Sequence, residues 1–254
     1  MRDVVIVTAF NRPEMLGLCL EHLAVCDLRD THVIVSEDAR SRSSQIVAEM
    51  DKVICRFHKL FDFEHIRRLG CQTACDNTWG ALRDAQNYEF IYTVEDDSIV
   101  ESDFITWHQR AQIQFHPFVS CADNYWVKSS TNANEVGLSH SDFATRACCM
   151  SQKTLQTILK RPTEKHFEEV LQGYLIEYKQ TMVFPTMPRS HNIEVAGTNL
   201  GIFRPTGTLD EKIAQVRNLI QLKHPRTTAD FMVGADRRNR WEKAYEAQAP
   251  WGFQ

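Results

Sequence analysis

The chain changes character most sharply at Phe90-Ile91-Tyr92-Thr93-Val94-Glu95-Asp96-Asp97-Ser98, where strand-forming residues run straight into three adjacent carboxylates. A run of that kind, bounded by polar residues, predicts a buried strand of a parallel sheet. In open α/β sheets ligands bind at the C-terminal ends of the strands, where these acids would lie. Three neighbouring carboxylates repel one another unless a cation neutralises them. A hard divalent ion, held by one or two carboxylates plus substrate phosphates, is the economical reading. The alternative is an acidic turn that caps a helix beginning after Ile99, with Ser98 at its start. Spacing alone leaves both open.

Upstream, Val4 to Ala9 predicts a buried strand, broken by Asn11-Arg12-Pro13, and Pro13 suits the first turn of a helix. His32 to Ser36 predicts a second strand, which runs into Glu37-Asp38-Ala39-Arg40. Ser41 to Met50 is expected as a helix, Val53 to Phe57 as a third strand, and His65 to Ala85 as the helix leading to Phe90. This alternation predicts an α/β domain with a doubly wound parallel sheet. Downstream, helices are expected at Asp103 to Gln114, Ser151 to Leu159 and Glu164 to Lys179. Strands are expected at Phe118 to Ala122, Phe143 to Met150 and Thr181 to Phe184. Asp123 to Ser141 reads as a polar loop, and Arg189 to Gly201 as a binding loop.

The 254 residues suffice for one large domain or two small ones. The eight cysteines form no Cys-x-x-Cys motif and no paired framework, so they read as reduced core thiols of a cytoplasmic protein. No apolar run approaches the ~18 residues that span a bilayer. Met1-Arg2-Asp3 leads directly into a strand, which reads as the absence of a secretion signal. The net charge of −4 is unevenly spread: residues 1–211 carry 21 basic and 29 acidic side chains, residues 212–243 carry 8 and 3. That basic stretch, with Arg237, Arg238 and Arg240 beside Trp241 and Tyr245, fits a docked helix, a lid over a diphosphate, or a nucleic-acid surface. Neither Gly-x-x-x-x-Gly-Lys nor Gly-x-Gly-x-x-Gly occurs, which argues against a P-loop enzyme or a dinucleotide oxidoreductase.

Thr8-Ala9-Phe10-Asn11-Arg12-Pro13-Glu14-Met15-Leu16 resembles the opening of the GT-A-fold glycosyltransferases, as does Ser36-Glu37-Asp38 after the second strand. The resemblance is to the N-acetylglucosaminyltransferase I group, whose metal motif is also Glu-Asp-Asp. Gly70, Trp79 and Ala81-Leu82 echo the helix before that motif, with the tryptophan displaced by one position, and Ser102-Asp103-Phe104 fits after it. The match is good over residues 3–125 and thin to residue 204. It implies a Rossmann-like GT-A sheet flanked by helices, with a less regular acceptor half. It implies that Asp97 binds Mn²⁺ or Mg²⁺, that Glu95 and Asp96 contact the sugar and ribose of a nucleotide-sugar, and that Arg12 and Asp38 contact the base. His191 lies where many GT-A enzymes place a third metal ligand or a diphosphate contact.

An inverting transferase also needs a general base near the acceptor hydroxyl. By the resemblance, that acid opens a helix after the central sheet, which leaves Glu164, Glu168 and Glu169. At ~100° per residue, Glu168 falls about 90° from the centre of the apolar stripe of that helix and Glu169 about 170° from it. Glu168 is therefore expected to flank a cleft and Glu169 to face water; dipole-favouring decoration of the first turn is the other reading.

Together these features predict a GT-A-like domain over residues 1–211, with a nucleotide-binding half (1–100), an acceptor half (101–211) and a basic segment (212–254) packed on it. The expected activity is metal-dependent, inverting transfer from a nucleotide-sugar, above all a UDP-sugar, to a hydroxyl of a glycan, protein or small molecule. A hydroxylated DNA base is the alternative acceptor that the basic segment raises. A nucleotidyltransferase is a rival, but it carries a glycine-rich loop where this chain has Asn11-Arg12-Pro13. A non-catalytic nucleotide-sugar-binding module is the other.

Overall fold

The computed structural model describes residues 2–40, 43–116, 119–123, 132–140, 147–161, 165–192 and 230–236, with isolated positions between 208 and 218. Its first half alternates as the sequence demands: β1 (Asp3–Ala9), α1 (Pro13–Leu23), β2 (Thr31–Asp38), α2 (Ser44–Phe57), β3 (Phe63–Arg68), α3 (Ala74–Asp84) and β4 (Phe90–Glu95). Then follow β5 (Ser98–Val100), α4 (Phe104–Phe115), β6 (Val119–Cys121), β7 (Glu135–Ser139), β8 (Ala147–Ser151), α5 (Gln152–Ile158) and α6 (Phe167–Glu177). The last described elements are β9 (Met182–Pro185), β10 (Ser190–Asn192) and β11 (Met232–Asp236).

Nine strands form one sheet in the order β11-β7-β9-β6-β8-β4-β1-β2-β3. β3, β2, β1 and β4 are mutually parallel. β8 runs antiparallel to both β4 and β6, so β6 points the same way as β4, and β9 is parallel to β6. The sheet is thus mostly parallel, and the C-terminal ends of β2, β1, β4 and β6 share one rim. β5 and β10 form a separate antiparallel ribbon above that rim.

Both faces of the sheet are covered, which is why β1, β2 and β4 read as continuous apolar runs. On one face Val5, Val7, Val33 and Val35 pack under Leu16 and Leu20 of α1 and Ile54 of α2. On the other, Val4, Ile6 and Ile91 pack against Trp79 and Leu82 of α3 and Leu171 of α6. β7 and β9 approach closely at Gly137, where a Cβ would overlap the Phe184 ring. Glycine is required there by that contact.

Three expectations fail. Val53 to Phe57 is the last part of α2: Ile46, Met50, Ile54 and Phe57 continue one helical stripe. The third strand is Phe63–Arg68, of which His65 to Arg68 is expected as the start of a helix; it is a sheet edge where His65 and Arg67 pair with Glu37 of β2 and Arg68 with Asp84, so it has no apolar run to read. Glu135–Ser139, expected as loop, forms β7 between β9 and β11. The ribbon is the fourth departure: Ser98–Val100 is a strand and not a helix start, and Ser190–Asn192 leaves the expected loop to pair with it.

His108 of α4 is fully buried between Phe104, Trp107 and Tyr92, with Nδ1 2.7 Å from Ser120 Oγ. Burial disfavours its imidazolium form and pushes the pKa down to about 3, so the ring stays neutral down to about that pH. A folded-state value below the unfolded one means that the unfolded chain binds the extra proton first. The stability that neutral His108 confers is therefore present above about pH 6.5 and is lost as the pH falls toward 3. We expect unfolding free energy to drop by about 2 kcal/mol from this group between pH 7 and pH 5. Urea melts of parent and His108→Gln across that range check this: the variant should lose that part of the slope, and identical slopes would refute the assignment.

Candidate active site

β4 ends at Glu95, and a two-residue turn, Asp96 and Asp97, links it to β5. Because β1 lies beside β4 with Thr8 opposite Glu95, the residues that follow β1 cross this turn. The Asp96 N–H donates to the Thr8 carbonyl at 3.0 Å, and the Phe10 N–H donates to Asp96 Oδ2 at 3.1 Å. The Arg12 guanidinium then forks across both acids, one nitrogen on Asp96 Oδ1 and the other 2.7 Å from Asp97 Oδ2. Asp96 is fully buried, and desolvation pushes its carboxyl up; Arg12 opposes that rise and Asp97 adds to it. Desolvation also works against the charge on Arg12, but the two carboxylates outweigh it and hold the guanidinium charged. Part of the neutralising cation that the triple acid demands is therefore supplied by the chain itself.

Asp97 keeps one unsatisfied atom. It is 8% exposed, and its Oδ1 is buried with no hydrogen-bond partner. A buried carboxylate oxygen is costly to leave bare, so it fits a ligand that brings a cation. Among the described residues, no three His, Cys, Asp or Glu side chains converge into a ready-made metal cluster. The protein thus offers one carboxylate oxygen to an ion whose other ligands come from elsewhere, as Mg²⁺-type sites completed by phosphates do.

At the end of β2, Asp38 is held by Arg40: Oδ1 accepts from the Arg40 N–H at 3.1 Å, and Oδ2 from Nε at 2.8 Å. Arg40 lies over the Phe10 ring, 5.3 Å from its centroid, and also bonds the Gln72 carbonyl. Asn77 of α3, buried, donates to the Ser36 carbonyl at 2.9 Å and accepts from Ser36 Oγ at 2.7 Å, tying α3 to the β2 end. Neither Arg40 nor Asn77 stands out by motif. The only signal for Arg40 is its opposite charge two residues after Asp38.

His191 is on β10 opposite Ile99, and its Nε2 is 2.8 Å from Glu101 Oε1. The structure therefore sets His191 against Glu101. Glu168 and Glu169 are both exposed in the first turn of α6. Burial above all pushes the Cys148 thiol of β8 up to about 12, with the charges of Glu168 and Glu95 adding to the rise. The start of α6 is pinned to α3 by a Trp79 Nε1–H bond to the Lys165 carbonyl at 2.9 Å and by Phe167 packed edge-on to Trp79. Arg12, Asp96 and Asp97 thus meet directly, and Glu95 and Asp38 share their rim. Glu164 and most of the basic segment, Arg237, Arg238 and Arg240 included, lie outside the described residues.

This architecture is a GT-A-like α/β fold: a large, mostly parallel sheet flanked by helices, with an acid turn on its C-terminal rim. No family model matches the sequence, and no match was found among curated proteins. Solved structures share the fold. S. aureus TarS 1-349 aligns with a TM-score of 0.54 at 15% identity, over 87% of this chain and 65% of that one. TarS 1-349 in complex with UDP-GlcNAc gives 0.57 at 14% identity, over 87% and 66%. The mannosyltransferase PcManGT from Pyrobaculum calidifontis, in complex with GDP-Man and Mn²⁺, gives 0.57 at 11% identity, over 100% and 76%. These neighbours are GT-A-like glycosyltransferases, and the chain spans just under two thirds of the TarS 1-349 length.

The Arg12 fork makes a stability prediction of its own. Arg12→Ala leaves the buried Asp96 carboxyl with only the Phe10 N–H as partner, a loss of about 3–5 kcal/mol by the cost of breaking a buried pair. Chemical denaturation of the metal-free protein measures it. A loss under about 1 kcal/mol would show that Asp96 does not depend on Arg12.

Proposed function

We propose that the protein is a metal-dependent glycosyltransferase that moves a sugar from a nucleotide-sugar, specifically a UDP-sugar, to an acceptor hydroxyl with inversion. The observation that carries this reading is the buried, unpartnered Oδ1 of Asp97 on the C-terminal rim of a GT-A-like sheet. Neighbours of the same fold have been captured with UDP, UDP-GlcNAc, GDP-Man and Mn²⁺, which supports a nucleotide-sugar and a divalent ion here.

Asp97 would hold Mn²⁺ or Mg²⁺, which when bound neutralises charge on the departing diphosphate. Glu95 faces the sugar, while Asp96, buried with its oxygens on Arg12 and the Phe10 N–H, fixes the turn that carries Asp97. Asp38 and Arg40 place an acceptor and a donor side by side next to the Phe10 ring, a set suited to a base edge carrying one N–H flanked by carbonyls, as uracil does. Glu168 is the general base: its carboxylate takes the acceptor O–H proton as that oxygen bonds to the anomeric carbon, and the anomeric C–O bond breaks with its electron pair leaving on the nucleoside diphosphate. Attack from the face opposite the leaving group inverts the centre. His191, held by Glu101, braces the ribbon beside Asp97 in this reading.

Thermal shift with nucleotide-sugars tests the donor and the ion together. UDP-sugars with Mn²⁺ should raise the melting temperature more than GDP- or ADP-sugars, because a ligand at 100 times its Kd adds about 2.7 kcal/mol to the folded state. No shift with any nucleotide-sugar, with or without Mn²⁺, would sink the proposal.

The base is tested by turnover, with donor hydrolysis as the assay where the acceptor is unknown. Glu168→Gln should lower kcat by ~10²-fold or more with little change in donor KM, while Glu169→Gln should be nearly silent. The reverse pattern would move the base to Glu169.

A further inference from the structure

Arg12 is positioned where it competes with the ion. One arm of its guanidinium occupies Asp97 Oδ2 at 2.7 Å, the other Asp96 Oδ1, and Asp97 Oδ1 is the oxygen left over. A dication on Asp97 would sit beside a full positive charge on the same carboxylate, which weakens its binding. The arginine is also able to let go of Asp97. Its side chain is 19% exposed, and although it occupies the N-cap position of α1 it makes no side-chain capping bond, so the helix does not need it in place. Only the arm on Asp97 has to be given up: the other nitrogen stays on the buried Asp96, which also keeps the Phe10 N–H.

We propose that Arg12 is a built-in competitor for the divalent ion: it holds Asp97 in the donor-free protein and passes onto the diphosphate when the donor arrives. A diphosphate matches the planar guanidinium fork as well as a carboxylate pair does. Its arrival both draws Arg12 away from Asp97 and brings the remaining ligands for the ion. Metal and donor then bind as a coupled pair, and the ion alone binds weakly. This inference rests on the assignment of Asp97 as the metal ligand.

Titration of the free-Mn²⁺ electron paramagnetic resonance signal tests it without any turnover. Mn²⁺ alone, and Mn²⁺ with UDP, are added to the parent protein, Arg12→Gln, Arg12→Lys and the double variant Arg12→Gln/Asp97→Asn. Without nucleotide, Arg12→Gln should bind Mn²⁺ at least tenfold more tightly than the parent. Arg12→Lys should fall between them, since an ammonium engages one carboxylate at a time, and the double variant should lose the gain. UDP should raise the Mn²⁺ affinity of the parent by a larger factor than that of Arg12→Gln. Should Arg12→Gln fail to fold, the Lys variant decides: affinity equal to or below the parent overturns the inference. Parent protein that binds Mn²⁺ with UDP while neither variant gains affinity also overturns it, with the metal site left standing. No Mn²⁺ bound by any protein, even with UDP, removes the metal site and the inference together.

Discussion

The rim of the sheet depends on one constraint: a carboxylate at 0% exposure, Asp96, must be neutralised where the strand ends. Leaving such a charge unpaired costs several kcal/mol, more than most single contacts in the core contribute. Arg12 meets that cost, and it can do so only because β1 and β4 are neighbours. The first turn after β1 is thereby locked over the first turn after β4. The rest of the rim is referenced to that lock, since Phe10, which carries Arg40 on its ring, lies inside it.

The same solution recurs along the rim. Glu37, fully buried, accepts from Arg67 Nε at 3.0 Å and from His65, both on β3. Arg68 bonds Ser36 Oγ at 2.8 Å and reaches Asp84. Asp38 is taken by Arg40. Three arginines, Arg12, Arg40 and Arg67, thus satisfy acids at the ends of β2 and β4, in buried or half-buried pairs where removal of one member is expensive. Such pairing makes a surface that is dense in charge yet stable without ligand. It also means that an anionic ligand finds cations already placed, each able to exchange a carboxylate for a phosphate.

How much of this could be read in advance follows from which interactions are local. β1, β2 and β4 are buried on both faces, so their apolar runs announced them, and the acids at Glu95 to Asp97 marked the end of one. α6 was legible from its stripe, whose Phe167, Val170, Leu171, Tyr174 and Leu175 are buried. β3 was illegible because an edge strand that spends its side chains on ion pairs has no apolar signature; the apolar end of α2 was taken for it instead. Arg12 and Asp38 stood out as charged residues at strand ends, but their partners did not. The Arg12–Asp97 pair spans 85 positions, and only the strand order shows that it forms. Arg40, two residues from Asp38, was closer at hand, yet an i to i+2 ion pair needs the strand to end there to bring the two side chains together.

The second half of the chain contributes stiffness to the same point. Arg189, 1% exposed, is driven down in pKa by burial and held by Asp103 at 3.3 Å and by the carbonyls of Met187 and Ala133, each at 3.0 Å. Its backbone N–H donates to Ala122 at 2.6 Å, and its carbonyl accepts from the Glu101 N–H at 2.9 Å. That residue therefore joins the end of β6 to the segment between β5 and α4, and it delivers Ser190 to Asn192 onto β5. With β5 pinned from this side and Asp96 from the other, Asp97 sits between two fixed points. Arg12 on Oδ2 and a turn fixed on both flanks together set the Asp97 carboxylate, so a ligand that reaches Oδ1 need not organise the turn.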